Sequence, residues 1–151
     1  MKHRNIVPIL IADDDLEDCE MIREAFEECR LLNKLHFVHD GEELMEYLKT
    51  AGNHENPIPG LILLDLNMPR KDGQEVLLEI KNNVKLRHIP VIVLTTSKTE
   101  EDILRTYDLG VNSYITKPVS FASLVELIKE IGHYWFEIVE LPENGNHANK
   151  N

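Results

Sequence analysis

Three consecutive acids, Asp13, Asp14 and Asp15, follow an apolar run that ends at Ala12, and a single acid, Asp65, follows another, "LILL" from Leu61 to Leu64. Further along, "VIVL" is followed by Thr95 and Thr96, and "SYI" by Thr116, Lys117 and Pro118. If these runs are parallel strands, the residues after them converge on one sheet edge, where carboxylates, a hydroxyl and one lysine meet. Clustered carboxylates repel, and burying them uncompensated is costly. A hard divalent cation relieves that repulsion, and Mg²⁺ suits a site built from a few carboxylates, a carbonyl and waters. A lysine beside it adds a fixed positive charge, and the arrangement can stabilise a phosphoryl group, whose oxygens need cationic partners and hydrogen-bond donors. A carboxylate can itself attack phosphorus and become an acyl phosphate.

Each residue has a plainer reading when taken alone. Asp13, Asp14 or Asp15 could simply cap the first helix. Asp15 and Asp18 are the best placed to be caps or first-turn acids that complement the helix dipole. A lone Lys117 would be a solvated surface lysine, and a lone Thr95 a strand-end threonine. Their joint occurrence at the ends of different strands carries the functional reading.

The elements that must position them are legible from hydrophobic pattern. Five apolar runs read as strands: Ile6 to Ala12, Leu35 to Val38, Leu61 to Leu64, Val91 to Leu94 and Ser113 to Ile115. The first, third and fourth are apolar at nearly every position, as expected of parallel strands covered on both faces. Amphipathic helices fill the gaps: Leu16 to Cys29, Glu42 to Leu48, Gln74 to Lys81, Glu100 to Leu109 with Gly110 as C-cap, and a last helix capped by Ser120 that carries Leu124, Ile128, Ile131 and Trp135. Five βα repeats predict a doubly wound α/β domain: a parallel sheet with helices on both faces and a ligand site at the carboxyl ends of its strands. Ala51 to Gly60 reads as a surface loop. Residues 1–141 read as one domain with an extended C-terminal helix, and residues 142–151 as a polar, disordered tail.

The 151 residues carry a formal net charge of -11, which argues against nucleic-acid binding through a basic surface. No stretch is long enough to span a bilayer, and the short apolar run after the basic residues Met1 to Asn5 ends in acids, unlike a signal peptide. Cys19 and Cys29 fall in one helix roughly 15 Å apart, too far for a disulfide. Both read as small core residues in a reducing cytoplasm.

In this arrangement the chain resembles the receiver domain of two-component response regulators. The matching marks are Asp13-Asp14 after the first strand, "LLDLNMPRKDG" around Asp65, Thr95 after "VIVL", and "YITKP" ending in Lys117-Pro118. The resemblance spans roughly Ile9 to Ile131. It implies a flavodoxin-like (βα)5 fold with a five-stranded parallel sheet, and Asp65 as phosphoacceptor, taking a phosphoryl group from a histidine kinase phosphohistidine, a phosphotransfer protein or a small phosphodonor. Mg²⁺ would be held by Asp14 and Asp65, by the carbonyl of Asn67, and through water by Asp13. Lys117 would contact the phosphoryl group across a cis Lys117-Pro118 bond. Thr95 would be the switch hydroxyl and Tyr114 the aromatic that rotates inward behind it, although Tyr114 alone reads nearly as well as an edge-strand aromatic. Asn67 and Ser97 would modulate attack of water on the acyl phosphate. Within the family, "TTSKTEEDILRTYDLGVNSYITKPVS", "WFEIVELP" and the long loop before the third strand are similar to small single-domain regulators associated with phytochrome histidine kinases. Asp13 and Asp15 depart from that subgroup, which often has Glu and Asn there; both changes keep oxygen ligands.

The chain reads as a phosphoprotein signalling component rather than an enzyme in the ordinary sense. Helix five carries Val125, Leu127, Tyr134, Phe136, Ile138 and Val139 beyond its core stripe, so the expectation is a homodimer through the helix four and helix five side. The alternative is that the C-terminal extension docks on its own domain. Two other functions compete. An aspartyl phosphohydrolase usually carries its acid pair after the first strand, whereas the acceptor-like acid here follows the third. A phosphorylation-independent interaction module would be expected to lack the acceptor, an acid or the lysine, and all are present.

Overall fold

The computed structural model describes residues 7–96 and 100–135. Strands and helices alternate: β1 (Ile9–Ala12), α1 (Leu16–Glu28), β2 (Leu35–Val38), α2 (Gly41–Thr50), β3 (Leu61–Leu64), α3 (Gly73–Lys81), β4 (Val91–Thr95), α4 (Glu100–Asp108), β5 (Ser113–Thr116) and α5 (Phe121–His133). The strands pair in parallel in the order β2-β1-β3-β4-β5.

Strands β1, β3 and β4 are buried at every position, which explains their unbroken apolar sequences. Successive side chains still alternate between two cores. Leu10, Ile62, Leu64 and Val93 pack with Leu44 and Leu48 of α2 and Val76 and Ile80 of α3. Ile9, Ile11, Leu63 and Ile92 pack with Ile22 and Phe26 of α1 and Leu124 and Ile128 of α5. The edge strands β2 and β5 are largely half-buried, so their apolar signal is weaker. The strand order turns outward in opposite directions from the β1–β3 pair, and in such sheets the crevice beyond the carboxyl ends of those strands is the expected binding place.

The predicted elements are all present, with local shifts. β1 starts at Ile9, after Pro8, which has no N–H to give to a ladder; Ile6 lies outside the described residues. The Pro8 carbonyl instead accepts from Gly60. β4 runs on to Thr95 and β5 to Thr116, which brings both hydroxyl residues into the sheet. Asp15 caps α1, accepting from the N–H groups of Glu17 and Asp18, and Ser120 caps α5. Gly110 takes the left-handed conformation after α4. Trp135 follows α5 and is buried in the α1/α5 core.

The apolar residues beyond the α5 core stripe divide: Val125 and Leu127 are half-buried against the chain's own core, while Tyr134 is exposed. Phe136, Ile138 and Val139, Ser97 and the tail 142–151 lie outside the described residues. Cys19 and Cys29 are free thiols at the core side of α1, as expected. Among the described residues no helix is long and apolar enough to cross a membrane.

The β3–α3 turn does not place its glycine in the left-handed region. Its left-handed residue is Arg70, at φ 70°, held by ion pairs to Asp40 and Glu42 at the start of α2. Gly73 is required for space: a Cβ there would lie 2.7 Å from both the Asp65 carbonyl oxygen and the Leu66 Cα. Both are backbone atoms directly beside the acid, so neither can swing away. Gly73→Ala is expected to cost about 1–3 kcal/mol, the usual range for overpacking. Urea denaturation should show a lower midpoint at unchanged slope; an unchanged midpoint would mean that the turn yields freely.

Candidate functional site

The carboxyl ends of β1, β3, β4 and β5 deliver the site. Asp13 follows β1 and is buried, its Oδ1 accepting from the Asp15 N–H at 2.9 Å. Asp65 follows β3, and only 5% of it is exposed. Thr95, the last residue of β4, is fully buried, and its hydroxyl donates to Asp65 Oδ1 at 2.7 Å. The Asn67 N–H donates to the same oxygen at 3.1 Å. The other oxygen, Oδ2, accepts from Lys117 Nζ at 3.0 Å. Both oxygens of the acid are therefore aimed, one by neutral donors and one by a cation.

Lys117 is placed by β5, and its own N–H donates to the Thr95 carbonyl at 2.8 Å. Its ammonium group reaches Asp13 Oδ2 at 2.7 Å and Asp18 Oδ2 at 2.8 Å as well as Asp65. Burial alone would pull its pKa down, but the hydrogen bonds and charges of these acids outweigh that and push it up, so the lysine is held as a cation. Burial likewise raises Asp13, offset in part by Lys117 and the Asp15 N–H and reinforced by the charge of Asp65. Asp14 is exposed at the rim, and oxygens of Asp13, Asp14 and Asp65 lie within 4.8 Å of one another, a group able to hold a metal ion. The donor set is all oxygen and mostly anionic, which fits a hard divalent cation.

All of the expected side chains that the structure describes are at this edge except Tyr114, which lies on β5 half-buried against the α2/α3 core. Asn67 contributes its backbone N–H to Asp65 while its side chain is exposed. The Lys117-Pro118 bond is trans, since the described residues contain no cis peptide. Trans is the isomer favoured by about 0.5–1 kcal/mol before proline, and the ammonium reaches its acids without the alternative. The Thr95 hydroxyl already points at Asp65 here.

Sequence reasoning missed two contributions. Asp18 reads as a first-turn acid, yet it pairs with Lys117. A signal was present: Ile22 and Ala25, four and seven residues on, belong to the buried face of α1, so Asp18 shares the sheet-facing side. Gln74 was also passed over. Its amide donates to Asp102 at 2.9 Å and accepts from Arg105 at 3.0 Å, a polar clamp between α3 and α4 beside the site. Cys19 lies close by, its thiol directed at the Asp13 carbonyl at 3.5 Å; burial and then Asp13 push its pKa to about 12, which keeps it an unreactive thiol.

A parallel sheet in this order, with an aimed acid, a half-buried lysine and a strand-end threonine at its carboxyl edge, defines a receiver domain. The model of the response regulator receiver domain family matches residues 9–129, and the chain belongs to that family. It is similar to the response regulator Rcp1 of Synechocystis sp., with 43% identity over 135 residues that make up 89% of this chain and 92% of that one. Among solved structures it resembles the phosphorylated cyanobacterial phytochrome response regulator RcpA, at 42% identity and a TM-score of 0.84, over 92% of this chain and 100% of the other. The Mn²⁺-bound form of Rcp1 superposes with a TM-score of 0.82 at 42% identity, over 91% of this chain and 99% of the other.

Proposed function

We propose that this chain receives a phosphoryl group on Asp65 from the phosphohistidine of a histidine kinase or phosphotransfer protein, and passes the signal on through its α4–β5–α5 surface. The observation that carries this reading is the Asp65 carboxylate held between the Thr95 hydroxyl and the Lys117 ammonium, beside two further acids. In the transfer, an oxygen of Asp65 forms a bond to phosphorus as the phosphorus–nitrogen bond of the donor breaks. The electron pair of that bond leaves on the imidazole, which takes up a proton. Lys117 and Thr95 are the groups that would meet the phosphoryl oxygens.

Asp14, Asp65, the carbonyl of Asn67 and, through water, Asp13 are the groups we assign to Mg²⁺, which when bound neutralises charge on the phosphoryl oxygens. Thr95 with Tyr114 forms the switch, and Asn67 and Ser97 set the access of water to the acyl phosphate. The kinase is inferred to be a phytochrome, a reading that rests on the similarity to RcpA and Rcp1. Two free cysteines fit a cytoplasmic setting. Exposed Leu104 and Tyr107 on α4, with Tyr134 after α5, support a homodimer on that side. The coexistence of acceptor, acids and lysine in contact favours phosphorylation over a purely docking role.

Incubation with labelled acetyl phosphate and Mg²⁺ is expected to give alkali-labile label at one acid, and none once the cation is chelated. Light scattering on the same sample reads out whether the molecular mass doubles. Label that is stable to alkali, or incorporation indifferent to chelation, would defeat the acyl-phosphate reading.

A further inference from the structure

A lysine ammonium has three N–H donors, and Lys117 has three carboxylate partners to receive them: Asp13, Asp18 and Asp65, all within 3.0 Å. Two of these partners have other duties. Asp13 and Asp65 belong with Asp14 to the group of oxygens that can hold a cation, and Asp18 stands outside that group. A cation that draws on Asp13 and Asp65 competes with the lysine for them. Asp18 is the one partner for which it does not compete.

The position of Asp18 is fixed independently of the lysine. It sits in the first turn of α1, where its N–H is bound by the cap Asp15 at 3.1 Å. Asp15 performs the capping, so the Asp18 side chain is not needed for it. That side chain is 33% exposed, against 11% for Lys117, and it reaches inward from the rim. A small cavity of about 30 Å³, bordered by Met21, Leu94 and Pro118, adjoins both side chains.

We propose that Asp18 is the positioning residue for Lys117: it retains one N–H of the ammonium group while the other two are released toward the cation-bearing acids or the phosphoryl oxygens. This rests on the reading of Asp65 as phosphoacceptor. With Asp18 in place, the lysine stays at the site while its remaining partners are exchanged. Without it, the lysine either competes harder for Asp13 and Asp65 or loses its fixed orientation. Both outcomes weaken the site, and both act only through Lys117.

The test uses the full chain and two probes, Mg²⁺ alone and beryllium fluoride at saturating Mg²⁺, with affinities from calorimetry. Asp18→Ala is expected to weaken Mg²⁺ binding about fivefold in the native background and by less than about twofold in a Lys117→Ala background. An equal loss in both backgrounds would show that Asp18 acts by its own charge on the cation, and would overturn the proposal. For beryllium fluoride, Asp18→Ala is expected to weaken binding about tenfold. Asp18→Asn, which keeps an oxygen acceptor without the charge, should lose about threefold. Native affinity in Asp18→Ala would overturn the proposal, as would an Asp18→Asn as weak as the alanine variant. Asp65→Asn separates the two readings. If it still takes label, the phosphoacceptor assignment has failed; if it loses label while Asp18→Ala binds both probes normally, only the role of Asp18 has failed.

Discussion

Asp65→Asn is expected to bring phosphoryl incorporation from acetyl phosphate down to background while leaving the fold intact. The amide has the same shape as the carboxylate, and its oxygen can still accept from Thr95 or Lys117. What it lacks is a negatively charged oxygen that can attack phosphorus, so the loss is chemical. Stability should hold or rise slightly, because a buried acid that repels Asp13 becomes neutral. Label counted per protein, with a denaturation curve on the same preparation, checks both halves. Label that persists would move the acceptor to Asp13 or Asp14, the other acids of the cluster.

The second large effect is expected from Lys117→Met. Methionine keeps the apolar stem but leaves Asp13, Asp18 and Asp65 without their shared cation. Removing one partner of a buried ion pair costs about 3–5 kcal/mol, and here one lysine serves three acids. Measured without divalent cations near neutral pH, the variant should unfold at a markedly lower denaturant concentration than the native chain. Saturating Mg²⁺ should restore much of the deficit, because a ligand that binds only the folded state stabilises it by mass action. Phosphorylation should stay impaired, since the group assigned to the phosphoryl oxygens is gone.

The deficit should also depend on pH in a defined direction. Lys117 has a raised pKa in the folded chain, so its contribution is fully present below the unfolded lysine value of about 10.4 and is lost as pH rises through the folded value. Asp13 is raised as well, so its buried charge burdens the fold until pH falls through its folded value. The gap between native and variant should therefore be widest from neutral pH to about 10 and should narrow toward both acid and strong alkali. A gap that stays constant across that range, or a variant as stable as the native chain without cations, would remove Lys117 from the balance described here.

The sheet was readable in the sequence wherever burial is two-sided. The apolar runs of β1, β3 and β4 announce themselves because no polar residue interrupts them, and Asp13, Asp65 and Thr95 are visible as the first polar residues after each run. Lys117 is visible only once the parallel order is assumed, since nothing local marks it as buried. Asp18 is hidden for the same reason in reverse: its pairing with Lys117 spans 99 residues, and an acid in a first helical turn is already accounted for by the helix dipole. The ties from Arg70 to Asp40 and Glu42, and from Gln74 to Asp102 and Arg105, join elements that pattern analysis treats separately. The need for glycine at position 73 comes from crowding by backbone, a property of the packed state that no local pattern carries.

The order in which the chain is made has a consequence for this site. Every strand pairs in parallel with a partner that is distant in sequence, and the lysine that neutralises Asp65 lies 52 residues beyond it. At translation rates of about 5–20 residues per second, roughly 3–10 s separate the synthesis of the acceptor from that of its lysine. During that interval the nascent chain carries its acids without their built-in cation, and the edge strand that brings Lys117 is also the last strand to be synthesised. A partly made chain thus has the acceptor but not the assembled pocket. On the proposed reading of Asp65 as phosphoacceptor, competence to be phosphorylated arrives only with β5, which completes the pocket around that acid.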